Sequence, residues 1–359
     1  DRYGFKKETQ HVSAAEYDKW NATYEPYVER RRKKWIHLMR SNDLPTDKPF
    51  RFPAKSDKVK RFVRKGIPPE WRGAAWFWYA GGPARMVEQP RLYWNLLDMA
   101  TEGKLNDVDR EHIERDLNRT FPDNIRFKPD TMPEVSDDER PGLMGKQGEP
   151  PMISALRRVL QAFAIHNPHV GYCQSLNFIA GLLLLFLDMD EEKSFIMLDI
   201  ITRDHLPGIH NKTLEDIDMG VLMSYIQESM PAVWSKIDDA DDMGGTASAH
   251  LVTRRLPTIH LTTTAWFMTC FVGNLPIETV LRVWDSFWFE GSKTLFRIAL
   301  TLFKAVETNV RALTDHMEIM QTVQAIPRRW IDANSLMEQC FRRRGGFGHV
   351  SLDSIQARR

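Results

Sequence analysis

Apolar residues in this chain fall mostly at helical spacing. Ile153, Leu156, Val159, Leu160 and Phe163 follow a 3.6-residue period, and the pattern stops ahead of Asn167-Pro168, where the residue preceding proline resists the α region. Leu214, Ile217, Val221, Leu222 and Tyr225 repeat the arrangement and stop before Pro231. Thr279 to Trp284 and Thr294 to Val306 predict two further helices, and Phe178 to Leu187 predicts an apolar one. Strand-like alternation is nearly absent, and no Asn-Gly or Asp-Gly hairpin turn occurs. The expected fold class is all-α.

Three stretches punctuate this pattern. Residues 41–58 mix Pro, Asp and Lys and read as a linker between an N-terminal helical arm and the main body. Lys128 to Pro151 holds five Pro and three Gly with a net charge of −3, too long for a plain connection and therefore read as functional or mobile, with mobile preferred. Asp238 to Gly245 is a shorter acidic turn. No repeat of solenoid period is visible.

A length of 359 residues suits one large domain or two lobes with a sizeable core. The 49 Lys and Arg nearly balance the 48 Asp and Glu, so the net charge of +1 says nothing about partners. Its distribution does. Residues 1–61 carry 16 basic and 9 acidic side chains, whereas residues 188–242 carry 4 basic and 14 acidic ones. Within the arm, the run from Arg30 to Lys34 before Trp35 suits an anionic lipid or an acidic protein face, or else a solvated helix face. Cys173, Cys270 and Cys340 lie far apart, which gives neither a disulfide framework nor zinc spacing and suits a reducing compartment. The longest apolar run is ten residues, about half of a bilayer span. No signal peptide opens the chain; it starts at Asp1 rather than Met, which predicts a fragment of a longer protein.

Several chemistries lack their motifs. There is no GxxxxGK[ST] phosphate cradle, no HExxH, no GxSxG and no nucleic-acid-binding motif. His166 and His169 precede Cys173, which leaves a Cys-His hydrolase as a weak alternative.

Three motifs remain. In Arg64 to Trp76, a Gly66-Ile67-Pro68-Pro69 turn precedes a helix on which Arg72 and Trp76 share a face; this reads best as a buried Trp with an Arg tying a loop down. In Ile113 to Pro122, Ile113 and Leu117 share a buried face, and Pro122 limits the helix so that Arg119 falls in its last turn. An arginine there suits the helix dipole and pairs with Asp116, so spacing alone favours a structural role. In Gly171 to Asn177, a turn feeds the apolar helix and puts Gln174 at its start with the amide free, where it either caps backbone groups or faces a partner.

Taken together these residues resemble the TBC domain, the family of GTPase-activating proteins for Rab GTPases. The resemblance runs from Val63 to the early 340s. It rests on Ile113-x-x-Asp116-x-x-Arg119, on Tyr172-x-Gln174, on Leu206-Pro207-Gly208, on Trp266-Phe267, on Leu275 to Asp285 and on Glu290-Gly291. The opening Arg2-Tyr3-Gly4-Phe5-Lys6-Lys7 and the basic arm are similar, less specifically, to fungal members linked to secretory traffic and exocytosis.

The resemblance implies an all-helical, two-lobed V. Residues 1–61 would be an extension and linker and residues 62–345 the TBC domain, with an N-lobe of about 62–205 and a C-lobe of about 206–345. Residues 346–359 would be a tail. The groove between the lobes would receive the switch regions of a GTP-bound Rab. Arg119 would neutralise charge on the phosphates as an arginine finger supplied in trans, and Gln174 would orient the attacking water. An arginine so supplied contributes 10³–10⁵ in rate, or ~4–7 kcal/mol of barrier. Asp116 would aim Arg119, Tyr172 would pack beside Gln174 and contact the GTPase, and Arg72 would belong to the scaffold and support the finger region. No cofactor or metal of its own is implied, because the GTPase brings GTP and Mg²⁺. The implied setting is cytoplasmic, with peripheral contact to an anionic vesicle or plasma membrane through the basic arm. The competing reading is a catalytically silent Rab-binding scaffold. The loop Lys128–Pro151 is longer and more acidic than the family leads one to expect.

Overall fold

The computed structural model describes residues 1–128, 148–206, 215–238 and 256–359. Among these residues the regular structure is helical, with one isolated bridge between Phe5 and Asn124. The chain divides into two compact units. The first holds residues 1–17, 36–53 and 68–204; the second holds 18–35, 54–67 and 205–359.

In the first unit, helix Leu176–Phe186 is apolar apart from Asn177 and buries Leu176, Ile179, Ala180 and Leu182 to Leu185. Helix Pro151–His166, with Pro151 preset for its first turn, packs beside it and buries Leu156, Val159, Leu160 and Phe163. It ends at His166, ahead of Asn167-Pro168. Each fully buried Leu or Phe contributes ~1.5–3 kcal/mol relative to exposure, so these two helices form the rigid base on which the neighbouring turns stand.

In the second unit, helices Ile277–Glu290 and Lys293–Ala312 extend a few residues past the stretches their periodicity predicted, and pack together. A buried Glu290 accepts two bonds from Arg64, at 2.6 and 2.7 Å, and one from Arg297 at 2.9 Å. The central helix of the arm, within Ala14–Arg40, also lies here. Trp35 is wholly buried and donates its indole N–H to the Gly66 carbonyl at 2.8 Å, and the Tyr24 hydroxyl donates to Glu278 at 2.8 Å. The basic run is thus not uniformly solvated. Arg31 is buried and donates to the Phe62 carbonyl at 2.9 Å, Arg32 pairs with Glu29, and Arg30, Lys33 and Lys34 are exposed.

Candidate functional site

Helix Asp107–Leu117 starts on Asn106, whose side-chain oxygen accepts from the Asp109 backbone N–H at 2.8 Å. It ends at Leu117, with Asn118 as its C-cap. Arg119 therefore stands beyond the helix rather than in its last turn. The chain tightens there: the Arg119 N–H reaches back only three residues, to the Asp116 carbonyl at 3.2 Å, and the Thr120 hydroxyl donates to the same carbonyl at 2.9 Å. Two residues later Phe121 takes φ +47°, a costly conformation for an aromatic residue.

The Arg119 side chain is 53% exposed, and its guanidinium is paired with the Asp116 carboxylate, which is 4% exposed. The other oxygen of that carboxylate accepts from the Tyr172 hydroxyl at 2.8 Å. One buried acid thus engages a terminal nitrogen of a guanidinium whose side chain is otherwise half exposed. Burial pushes the Tyr172 phenol pKa up, as does the neighbouring Cys173, while Arg119 and Arg115 oppose this. The phenol stays protonated at neutral pH and remains the donor in its bond to Asp116.

Gln174 is exposed and sits in the turn just before helix Leu176–Phe186, not within it. Both sides of the turn are fastened to the arginine segment. On the entering side, Asp109 accepts the Tyr172 backbone N–H at 3.0 Å and the Asn106 amide at 2.6 Å. Gly171 makes that approach possible. Its φ is +62°, and a Cβ there would lie 2.8 Å from the Asp109 carboxylate. On the leaving side, the Ser175 N–H donates to the Asn177 side-chain oxygen at 3.2 Å, and the Asn177 amide donates to the Thr120 hydroxyl at 2.8 Å. Ser175 itself has φ +110°, and its buried hydroxyl has no hydrogen-bond partner among the described residues. Strain of this kind, held next to an exposed polar side chain, concentrates at functional sites.

Asp109, Thr120 and Asn177 are the parts that sequence reasoning missed. Asp109 precedes Asp116 by seven residues, two helical turns on one face, and that spacing was the available signal. Asn177 and Thr120 become partners only once the fold brings their segments together.

The other expected positions fall as follows. Arg72 is 1% exposed and donates to the Tyr3 hydroxyl at 2.7 Å, and Trp76 is wholly buried with its ring 5.1 Å from Phe186. Trp266, Phe267 and Trp284 are core residues of the second unit, and the Trp284 indole donates to the Cys270 carbonyl at 3.0 Å. His166 is engaged by Arg203 at 2.8 Å and lies 3.8 Å from Asp199, while the Cys173 thiol donates to the Gln174 carbonyl at 3.5 Å. Burial lowers the His166 pKa, and Asp199 opposes the shift. These contacts do not build a thiolate-imidazole pair. Leu206 is buried; Pro207 and Gly208, residues 129–147 of the long loop and residues 239–245 of the acidic turn lie outside the described residues. Among the described residues no cluster of three or more His, Cys, Asp or Glu is arranged to hold a metal. No helix among them is long and apolar enough to cross a membrane.

Chemically, the site offers one exposed guanidinium and one exposed carboxamide on two turns braced against each other. Such a pair has donors for phosphate oxygens and both a donor and an acceptor for a water.

The family profile described as the Rab-GTPase-TBC domain matches residues 69–310. The chain is 41% identical to the GTPase-activating protein GYP3 of Saccharomyces cerevisiae over 99% of its own length, and spans 62% of that relative. It is 40% identical to the GTPase-activating protein MSB4 of the same yeast, over 94% of this chain and 75% of the relative. The crystal structure of the Chlamydomonas flagellar RabGAP TBC domain superimposes with a TM-score of 0.70 at 27% identity, covering 96% of this chain and 99% of that one.

Proposed function

Because the chain belongs to the Rab-GTPase-TBC domain family, we propose that it is a GTPase-activating protein that presents Arg119 and Gln174 to GTP held by a Rab-family GTPase. The observation that carries this reading is the bracing of the two turns. Tyr172 binds Asp116, Asn177 binds Thr120, and both motif side chains are left exposed between these ties.

A small GTPase is slow because charge on the transferring phosphoryl group is poorly stabilised and the attacking water poorly held. Arg119 addresses the first deficit. Its guanidinium stays charged and offers a planar fork to phosphate oxygens, and Asp116 fixes its direction before the GTPase arrives, so little side-chain freedom is lost on docking. Gln174 addresses the second, with a neutral amide that accepts from water and donates to phosphate. GTP and Mg²⁺ come with the partner, in its GTP-bound form.

The test is GTP hydrolysis by a panel of GTP-loaded Rabs with the purified chain. At least one Rab is expected to be accelerated by two orders of magnitude or more. Binding to a GTP-loaded Rab without acceleration would establish the silent-scaffold alternative instead.

A peripheral role at vesicle or plasma membrane in secretory traffic belongs to the same proposal, carried by the exposed Arg30, Lys33 and Lys34. Deleting residues 1–61 is a poor test, because it removes the buried Tyr24, Val28, Trp35, Leu38 and Met39. Substituting the three exposed cations by Gln is cleaner. Each basic side chain near an anionic surface is worth ~1 kcal/mol, so co-sedimentation with phosphatidylserine vesicles should weaken by roughly 100-fold or more while activity on free Rab is retained. Unchanged sedimentation would remove the membrane assignment.

A further inference from the structure

The N-terminal residues before the helical arm touch the arginine turn directly. Phe5 forms an antiparallel bridge with Asn124, the Ile125 N–H donates to the Gly4 carbonyl at 3.0 Å, and the Lys6 N–H donates to the Asp123 carbonyl at 3.0 Å. The buried Asn124 donates its side-chain amide to the Tyr3 carbonyl at 3.0 Å. Side chains reinforce the pairing. The Phe5 ring meets Phe121 edge-on at 5.3 Å, and Tyr3 lies 5.3 Å from Phe186 while its hydroxyl accepts from the buried Arg72 at 2.7 Å.

Phe121 is the pivot. It is the aromatic residue at φ +47°, two positions after Arg119, and it also packs against Phe127 and Phe178. A strained residue persists only where its surroundings over-determine it. Phe5 supplies one wall of that surrounding, and the backbone pairing at Asp123 to Ile125 fixes the exit of the same turn. All of these residues belong to the first unit.

We propose that residues Tyr3 to Lys6 form a strap that positions the Arg119 turn, with Tyr3 and Phe5 as its positioning residues and Arg72 as its anchor. The inference rests on the assignment of Arg119 as the arginine finger. It gives Arg72 a specific part in supporting that finger: it holds Tyr3, and Tyr3 holds the segment that closes the turn. Loss of the strap leaves the finger chemically intact but free to sample unproductive directions, and misplacement by about 1 Å is enough to cost ~100-fold.

The experiment uses the full chain with a responsive Rab and compares Phe5→Ala, Tyr3→Phe and Phe5→Leu, with melting temperature measured alongside. Phe5→Ala is expected to lower kcat about tenfold or more with KM for the Rab within twofold, Tyr3→Phe to lower kcat severalfold, and Phe5→Leu to recover most of the loss. A purely structural role would lower the melting temperature without this split. Placed in an Arg119→Ala background, Phe5→Ala is expected to cause less than a twofold further change. Wild-type kcat in both Phe5→Ala and Tyr3→Phe would overturn the strap, as would an undiminished Phe5→Ala loss in the Arg119→Ala background. If Phe5→Ala fails to fold, Tyr3→Phe, which removes only a hydroxyl, decides the matter. Wild-type activity of Arg119→Ala alone would instead overturn the finger assignment, and the strap with it, a signature distinct from failure of the strap alone.

Discussion

Arg119→Ala is expected to slow hydrolysis of Rab-bound GTP by about 1,000-fold relative to the wild-type chain, equivalent to ~4 kcal/mol of barrier. The size follows from the environment of the side chain. A guanidinium aimed in advance by a buried carboxylate is pre-organised, and a charge brought into a site from which the docked partner excludes water acts at reduced dielectric screening. Arg119→Lys should recover little, since an ammonium keeps the charge but not the fork that can bind Asp116 and a phosphate together. Gln174→Ala should lose less, about 100-fold, because a partly ordered water remains available to the GTPase. The circular-dichroism helix signal should be unchanged in all three. Arg119 lies outside any helix and is half exposed, so its ion pair with Asp116 is screened and worth at most about 1 kcal/mol of stability. Single-turnover hydrolysis at saturating chain concentration separates the effect on chemistry from any effect on binding. Wild-type rates in both Arg119→Ala and Gln174→Ala would dispose of the two-finger reading.

The sequence made some of this architecture legible and hid the rest for identifiable reasons. Helix periodicity found Pro151–His166 and the apolar helix after Gln174, because a buried face must repeat every 3.6 residues and proline must stop it. The pairing of Asp116 with Arg119 was legible as well from their three-residue spacing, although Arg119 lies just past the helix end. The helix end was not. Pro122 bounds the helix from outside, but the chain leaves it at Leu117, where the Thr120 hydroxyl takes the Asp116 carbonyl. Competition by a local side chain of this kind has no periodic signature. The same limit hid the cross-bracing: Asn177 to Thr120 joins residues 57 positions apart, and Tyr172 to Asp116 joins residues 56 apart. Charge patterning suggested a solvated arm, whereas Arg31 and Trp35, four residues apart on one helix face, are buried. A run of like charges fixes composition, and only packing decides which members face water.

Gly73→Ala is expected to destabilise the first unit by at least about 3 kcal/mol, lowering its melting temperature by roughly 6–12 °C. Gly73 lies in the first turn of helix Arg72–Tyr79, where a Cβ would come 1.8 Å from the Phe186 carbonyl oxygen and 2.6 Å from its carbon. Both obstructing atoms are backbone, so no rotamer change can relieve the clash, and one helix must move by more than 1 Å. Phe186 ends the helix whose start follows Gln174, and its ring packs between Trp76 and Tyr3 at 5.1 and 5.3 Å. A displacement there reaches the glutamine turn along the helix and the arginine turn through Tyr3. Activity should therefore fall in Gly73→Ala even below its melting temperature, which a remote loss of stability would not produce. The neighbouring Ala74→Gly supplies the control. It changes the same helical turn by one methyl group, costs only about 0.5–1 kcal/mol through backbone freedom, and should leave kcat unaffected. A Gly73→Ala chain that melts within 2 °C of wild type would mean that these two helices do not meet as closely as the contact between residues 73 and 186 requires.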